Sequence, residues 1–134
     1  MKNDCLFCAI AAGEIPAYVV YEDELFLVIP DKFPAAPGHV LIMPKRHASD
    51  LFELNEAEAA AFMPLVKQIA EKINREFKPD GLNVLQNNGK AAGQVIFHYH
   101  MHLIPRYSGD GIRFILPHDE ATLEELEETA KKLR

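Results

Sequence analysis

Apolar residues fall along this chain in two rhythms. Short, continuous runs rich in β-branched and aromatic residues, Tyr18-Val19-Val20-Tyr21 and Leu25-Phe26-Leu27-Val28-Ile29, flank the turn-like Glu22-Asp23-Glu24 and predict a hairpin. Pro30 and Asp31 end its second strand, and Phe33-Pro34-Ala35-Ala36-Pro37-Gly38 reads as a loop. A third strand is expected over His39–Met43, closed by Pro44, a fourth over Leu82–Gln86, and a fifth over Val95–Ile104, stopped by Pro105. Between the last two, Asn87-Asn88-Gly89-Lys90-Ala91-Ala92-Gly93 is a loop of small residues.

The second rhythm is helical. Phe62, Leu65, Val66, Ile69, Ile73 and Phe77 keep a 3.6-residue period after Asn55, with Glu58 placed to complete a capping box. Pro64 lacks a backbone donor and should bend this helix or move its start later. A short helix is expected over Phe7–Ala12, stopped by Gly13. A last one, capped by Thr122 and Glu125, carries Leu123, Leu126, Ala130 and Leu133 on one face, an ordinary packing pattern. Strands joined by short turns and interrupted by one long helix describe an α+β domain with a mainly antiparallel five-stranded sheet.

Composition narrows the function. The 134 residues fit one domain, residues 1–134, and 49% hydrophobic with 25% charged content is an ordinary globular balance. No apolar run reaches the ~20 residues needed to span a bilayer, and Met1-Lys2-Asn3-Asp4-Cys5 has no signal-peptide core, so a cytoplasmic protein with no membrane partner is expected. The net charge of -6 and the small size of Lys45-Arg46-His47, the densest basic patch outside the C-terminus, with Lys45 and Arg46 read as a solvated pair, argue against a nucleic-acid partner. A small phosphate-bearing ligand stays compatible, since backbone N–H groups hold phosphates well.

The chemistry concentrates in His98-Tyr99-His100-Met101-His102. On a regular strand these three histidines share one face at spacings of roughly 6.5–7 Å. Three imidazoles buried together would leave several ring nitrogens needing partners, so the pattern points to function: a three-histidine metal site, or an imidazole acting on substrate. The metal reading crowds the middle residue. The loop just before, with Asn87, Gly89, Gly93 and Gln94, offers amides and free backbone donors to an oxyanion opposite a nucleophilic imidazole. His39, alone on an apolar strand, reads as structural. Cys5 and Cys8, with two residues between them, form half a zinc site or a redox couple. A thioredoxin-like couple requires a preceding strand and a long helix, which this N-terminus lacks.

The run Gly93-Gln94-Val95-Ile96-Phe97-His98-Tyr99-His100-Met101-His102-Leu103-Ile104 resembles the signature of the histidine triad (HIT) superfamily. Cys5-Leu6-Phe7-Cys8, Gly13-Glu14-Ile15-Pro16-Ala17, Pro37-Gly38-His39 and Ile42-Met43-Pro44-Lys45-Arg46-His47 extend the likeness to its Hint branch, in the zinc-bearing prokaryotic form, over residues 5–108, leaving 109–134 as an extension. The resemblance implies the HIT fold, and a hydrolase or nucleotidyl transferase acting at the α-phosphate of purine nucleoside phosphoramidates or adenylates. Dinucleoside polyphosphate hydrolysis and nucleotide sensing with little turnover are the rival activities. His100 would be the nucleophile; His102, Asn87, Gln94 and the Val95 N–H would meet the phosphate; Asp31 would take the ribose hydroxyls; and Leu6, Phe7 and Ile10 would line the base pocket. Cys5, Cys8, His47 and His98 would hold a structural zinc, with no organic cofactor. A homodimer is implied through the long helix and neighbouring strand, with Phe62 and Phe77 as candidates. Val95 departs from the serine of animal Hint proteins, a group implied to help protonate an amine leaving group.

Overall fold

The computed structural model describes residues 4–134. Five strands form one antiparallel sheet: β1 (Tyr21–Glu22), β2 (Phe26–Pro30), β3 (Val40–Pro44), β4 (Gly81–Gln86) and β5 (Met101–Arg106), in the order β1-β2-β3-β5-β4. The helices are α1 (Leu6–Ala11), α2 (Glu56–Phe77) and α3 (Leu123–Leu133). This is the α+β class the two rhythms predict.

Strand alternation sorts the core into two layers. Phe26, Val28, Val40, Ile42 and Leu103 pack against Phe62, Leu65, Val66, Ile69 and Ile73 of α2. Leu27, Ile29, Leu41 and Met43, on the opposite face, pack against Cys5, Phe7 and Cys8 around α1. α2 therefore backs the sheet while α1 sits on the face that carries the chemistry. Phe62 is spent in the core, which removes it as a dimer contact.

Asn55 caps α2 in a full capping box with Glu58, so the helix starts where the sequence places it and Pro64 does not delay it. The donor that Pro64 lacks falls on the solvent side, where Ala60 and Pro64 are exposed and water can serve the freed carbonyl. Two expected strands shrink. Of the first run only Tyr21 enters the ladder with β2, Val20 reaches it through an N–H that donates to the Val28 carbonyl at 2.8 Å, and Tyr18 and Val19 are exposed. The fifth strand begins at Met101, not Val95, and runs through Pro105 to Arg106. Residues 95–100 leave the ladder because Gln94, His98 and His100 bond to loop and backbone groups there. Pro105 is tolerated because it lies past the β3 pairing, which reaches Leu103. Gly38 (φ +90°) sits where a Cβ would come within 3.0–3.1 Å of Phe77 and Pro105, so only glycine lets the loop lie against the end of α2.

Candidate active site and metal centre

One cleft of about 940 Å³ opens on the α1 face of the sheet. Leu6, Phe7 and Ile10 of α1 line it together with Ile15, Ile29, Asp31 and Phe33, and so do Asn87, Gly93, Gln94 and Val95 from the loop before β5. His100 and His102 line it as well, with His39. Every proposed substrate-binding and catalytic residue therefore lines this one cavity. His39 joins them, against its structural reading from sequence: an isolated histidine in an apolar strand carries no signal of what lies across the sheet.

Hydrogen bonds fix the tautomer of each ring. His100 Nδ1–H donates to the His98 carbonyl at 2.7 Å, which leaves Nε2 as a lone pair on the cleft side. His39 Nδ1 accepts the Ala35 N–H at 2.9 Å, so its proton sits on Nε2. That proton faces His102 Nδ1 at 2.9 Å and Asp31 Oδ2 at 3.3 Å. His102 thus accepts at Nδ1 and keeps Nε2–H as its donor. The Asp31 Oδ1 accepts the Phe33 N–H at 2.8 Å, which holds the carboxylate in place. Burial lowers the pKa of His100, against the opposing pull of the His98 carbonyl and Asp31. His102 is pushed down to about 4 by burial and by the neighbouring His100 and His39. Burial also lowers His39, with Asp31 opposing. All three rings are neutral at physiological pH.

The loop beside them is pre-shaped. Gln94 is buried, and its amide is committed within the chain: Nε2 donates to the Ser49 carbonyl at 2.6 Å and the Ile96 carbonyl at 3.1 Å, while Oε1 accepts the Gly89 N–H at 2.8 Å. Gly89 and Gly93 take positive φ values of 87° and 92° around a 3₁₀ turn at Lys90–Ala92. Among the described residues, neither the Val95 N–H nor the Asn87 side-chain amide has a partner within the chain. Two donors thus remain free among residues that line the same cleft as His100.

His98 faces away from the cleft. Its Nε2–H donates to the Pro44 carbonyl at 2.7 Å, and Nδ1 lies 3.3 Å from Cys5 Sγ and 3.5 Å from Cys8 Sγ. His47 Nδ1 lies 3.4 Å from Cys8 Sγ. These spacings approach the roughly 3.6 Å between sulfur and nitrogen ligands around tetrahedral zinc. The second nitrogen of His98 donates to a carbonyl, as a ligating imidazole requires. Cys5, Cys8, His47 and His98 thus suit a metal in both distance and donor chemistry. Asp31, His39 and His102 are gathered as closely, but the outer nitrogen of His39 faces a donor, Ala35 N–H. That arrangement suits a shared proton and not a metal ligand.

A model of the HIT domain matches residues 12–109. The chain belongs to the HIT family. The protein "hit" of Bacillus subtilis is 49% identical over 110 residues, 81% of this chain and 76% of that one. Adenylylsulfatase HINT3 of Arabidopsis thaliana is 46% identical over 82% of this chain and 56% of its own length. Adenosine 5'-monophosphoramidase hnt1 of Schizosaccharomyces pombe is 41% identical over 76% of this chain and 74% of that one. Among solved structures, a HIT family protein from Bacillus anthracis superposes with a TM-score of 0.93 at 40% identity, over 99% of this chain and 96% of that chain. A zinc-bound HIT protein from Mycobacterium smegmatis does so at 0.77 and 40% identity, over 87% and 84%. Among the described residues no helix is long and apolar enough to cross a membrane.

Proposed function

We propose that this HIT protein hydrolyses purine nucleoside phosphoramidates or adenylates through a covalent nucleotidyl-His100. The observation that carries this reading is the His100 ring, whose Nδ1–H is held by the His98 carbonyl so that the Nε2 lone pair is offered to the cleft beside the free Val95 N–H. In the first displacement Nε2 bonds to the α-phosphorus, and the bond from phosphorus to the leaving group breaks, its electron pair departing with that group; a carboxylate or sulfate leaves as the anion, whereas an amine takes up a proton from water as it leaves. The Val95 N–H, the Asn87 amide and the His102 Nε2–H meet the phosphate oxygens; Gln94 acts by holding the loop that presents them. Water then displaces His100, losing a proton to solvent and releasing the nucleoside monophosphate. Asp31 meets the ribose hydroxyls, and Leu6, Phe7 and Ile10 cover the base. Val95 supplies no proton to a leaving group, which favours carboxylate or sulfate leaving groups over amines.

Cys5, Cys8, His47 and His98 would hold a structural zinc. The ion would cross-link α1 to the segment bearing His100, with no open position for substrate. A homodimer would form through α2 and the edge strand β4, where Met63, Phe77 and Val84 are exposed. The deciding experiment is rapid-quench mass spectrometry with an adenosine phosphoramidate, an acyl adenylate, adenylyl sulfate and a dinucleoside polyphosphate. An adduct of one nucleoside monophosphate on His100, absent in His100→Ala while nucleotide affinity persists, supports the mechanism. Nucleotide binding with no adduct and no turnover on any of the four overturns it.

A further inference from the structure

The cysteine pair is placed for chemistry of its own. Cys5 is the N-cap of α1 and Cys8 its third helical residue, with the Cys8 N–H directed at Cys5 Sγ at 3.4 Å. A helical turn sets Cα atoms three positions apart at roughly 5 Å, inside the window of about 4.4–6.8 Å that a disulfide spans. The two sulfurs already lie within 4.8 Å of one another. Rotation about the two Cα–Cβ bonds therefore suffices to join them, with the sheet left in place. Closing so short a loop stabilises a chain less than closing a long one, so a bond here acts as a reversible link and not as a staple. The pair is also reachable. A second cavity, of about 490 Å³, is lined by Cys5 and His47 and shares Leu6, Val95 and Ile96 with the large cleft. Cys5 keeps 9% of its surface exposed there, whereas Cys8 keeps 1% behind it. A small oxidant meets Cys5 first, and Cys8 is the thiol that resolves it.

We propose that Cys5 and Cys8 form a reversible disulfide under hydrogen peroxide, and that this bond lowers the affinity of the cleft for nucleotide by taking both sulfurs out of the metal cluster. The Cys5 thiolate attacks one peroxide oxygen: the S–O bond forms, the O–O bond breaks and hydroxide leaves, giving a sulfenic acid. The Cys8 thiolate then attacks the Cys5 sulfur, so that the S–S bond forms, the S–O bond breaks and a second hydroxide leaves. Two protons from solvent turn both hydroxides into water; the sulfurs are oxidised and the peroxide is reduced. A dithiol reductant reverses the bond by exchange. Of the four donors only His47 and His98 then remain, too few for a tetrahedral metal. The disulfide ring also encloses Leu6 and Phe7, which both line the large cleft. Phe7 packs edge-on against His100 at 5.0 Å and His98 at 5.9 Å, so a shift of this turn is felt at the imidazole offered to substrate. The effect on affinity rests on the proposed zinc and nucleotide readings; the disulfide itself does not.

The test treats the full chain, loaded with zinc, with hydrogen peroxide. Non-reducing mass spectrometry should find the peptide that holds both cysteines lighter by two hydrogens and closed to iodoacetamide. Zinc should pass to a chromogenic chelator that takes none from the reduced protein. Calorimetric affinity for adenosine monophosphate should fall roughly fivefold or more, the lower end of the coupling usual between linked sites. Dithiothreitol with added zinc should restore all three. Thiols that stay open to alkylation, that go on to sulfinic acid or that pair between chains overturn the proposal, and so does a disulfide that leaves affinity unchanged. In Cys8→Ser the oxidation should stop at a Cys5 sulfenic acid, trapped by dimedone; a Cys5 that peroxide leaves unmodified overturns the order of attack. If the reduced protein binds neither zinc nor nucleotide, the proposed function falls with the coupling, and alkylation still decides the disulfide.

Discussion

At the scale of single residues the site depends on where protons sit. His39 reaches no substrate atom in the proposed mechanism, but it is the group that makes His102 present Nε2–H to the phosphate. His39→Phe removes the donor facing His102 Nδ1. The expected result is a fall in kcat of roughly tenfold or more with KM nearly unchanged, read from steady-state kinetics. The low pKa of His102 also couples the site to stability. A free histidine protonates near 6.5, whereas this one does so near about 4. Between those values the unfolded chain binds more protons, so stability is complete above about 6.5 and lost as the pH falls toward about 4, by up to on the order of 3 kcal/mol. Thermal melts at pH 7 and 4.5 should show this loss, and His102→Asn should reduce it. Sequence spacing revealed His100 and His102 because alternate residues on β5 and its approach meet one cavity. It could not reveal His39, whose partners Asp31 and His102 come from two other segments and are assembled only by the β2–β3–β5 register.

At the scale of elements, α2 is the most legible part of the chain because capping and periodicity are both local. Its first turn also hides a long-range bond that no local pattern announces. Glu58 is 1% exposed, yet its carboxylate receives two guanidinium contacts from Arg46 at 2.7 and 3.0 Å and the Asn55 N–H at 3.0 Å. Burial pushes this carboxyl up, but Arg46 and the Asn55 N–H outweigh it and hold it below the usual range. Arg46 is therefore not the solvated cation its sequence neighbours suggest. Arg46→Ala leaves a buried carboxylate without its counter-ion, and denaturant titration should show a loss of about 2 kcal/mol, moderated because the guanidinium is half exposed. The fifth strand shows the opposite limit. Its apolar alternation is continuous from Val95, but side-chain bonds from Gln94, His98 and His100 compete with the ladder and win up to His100.

At the scale of the whole molecule, the cysteine–histidine cluster joins three walls of the cleft. Cys5 is the N-cap of α1, whose Leu6, Phe7 and Ile10 line the cleft; His98 precedes His100 and orients it; and His47 stands two residues before Ser49, whose carbonyl anchors Gln94. Removing metal with a chelator should therefore lower the Tm and also weaken nucleotide binding, both recovered by adding zinc; isothermal titration on the two forms measures the second effect. The family resemblance implied the four candidate ligands, but the connection from Ser49 to Gln94 was invisible because it runs through a backbone carbonyl. The cluster also has a meaning in time. Cys5 meets His98 across 93 positions of sequence, so a chain emerging from a ribosome holds its first ligands long before it owns the last. Leu27, Ile29, Leu41 and Met43 already give α1 a surface to dock on, but the cluster that pins its N-cap stays incomplete until His98 has emerged. With zinc held there as proposed, metal capture would be a late step of folding, and a newly made chain would pin the α1 side of its cleft only where the ion is at hand.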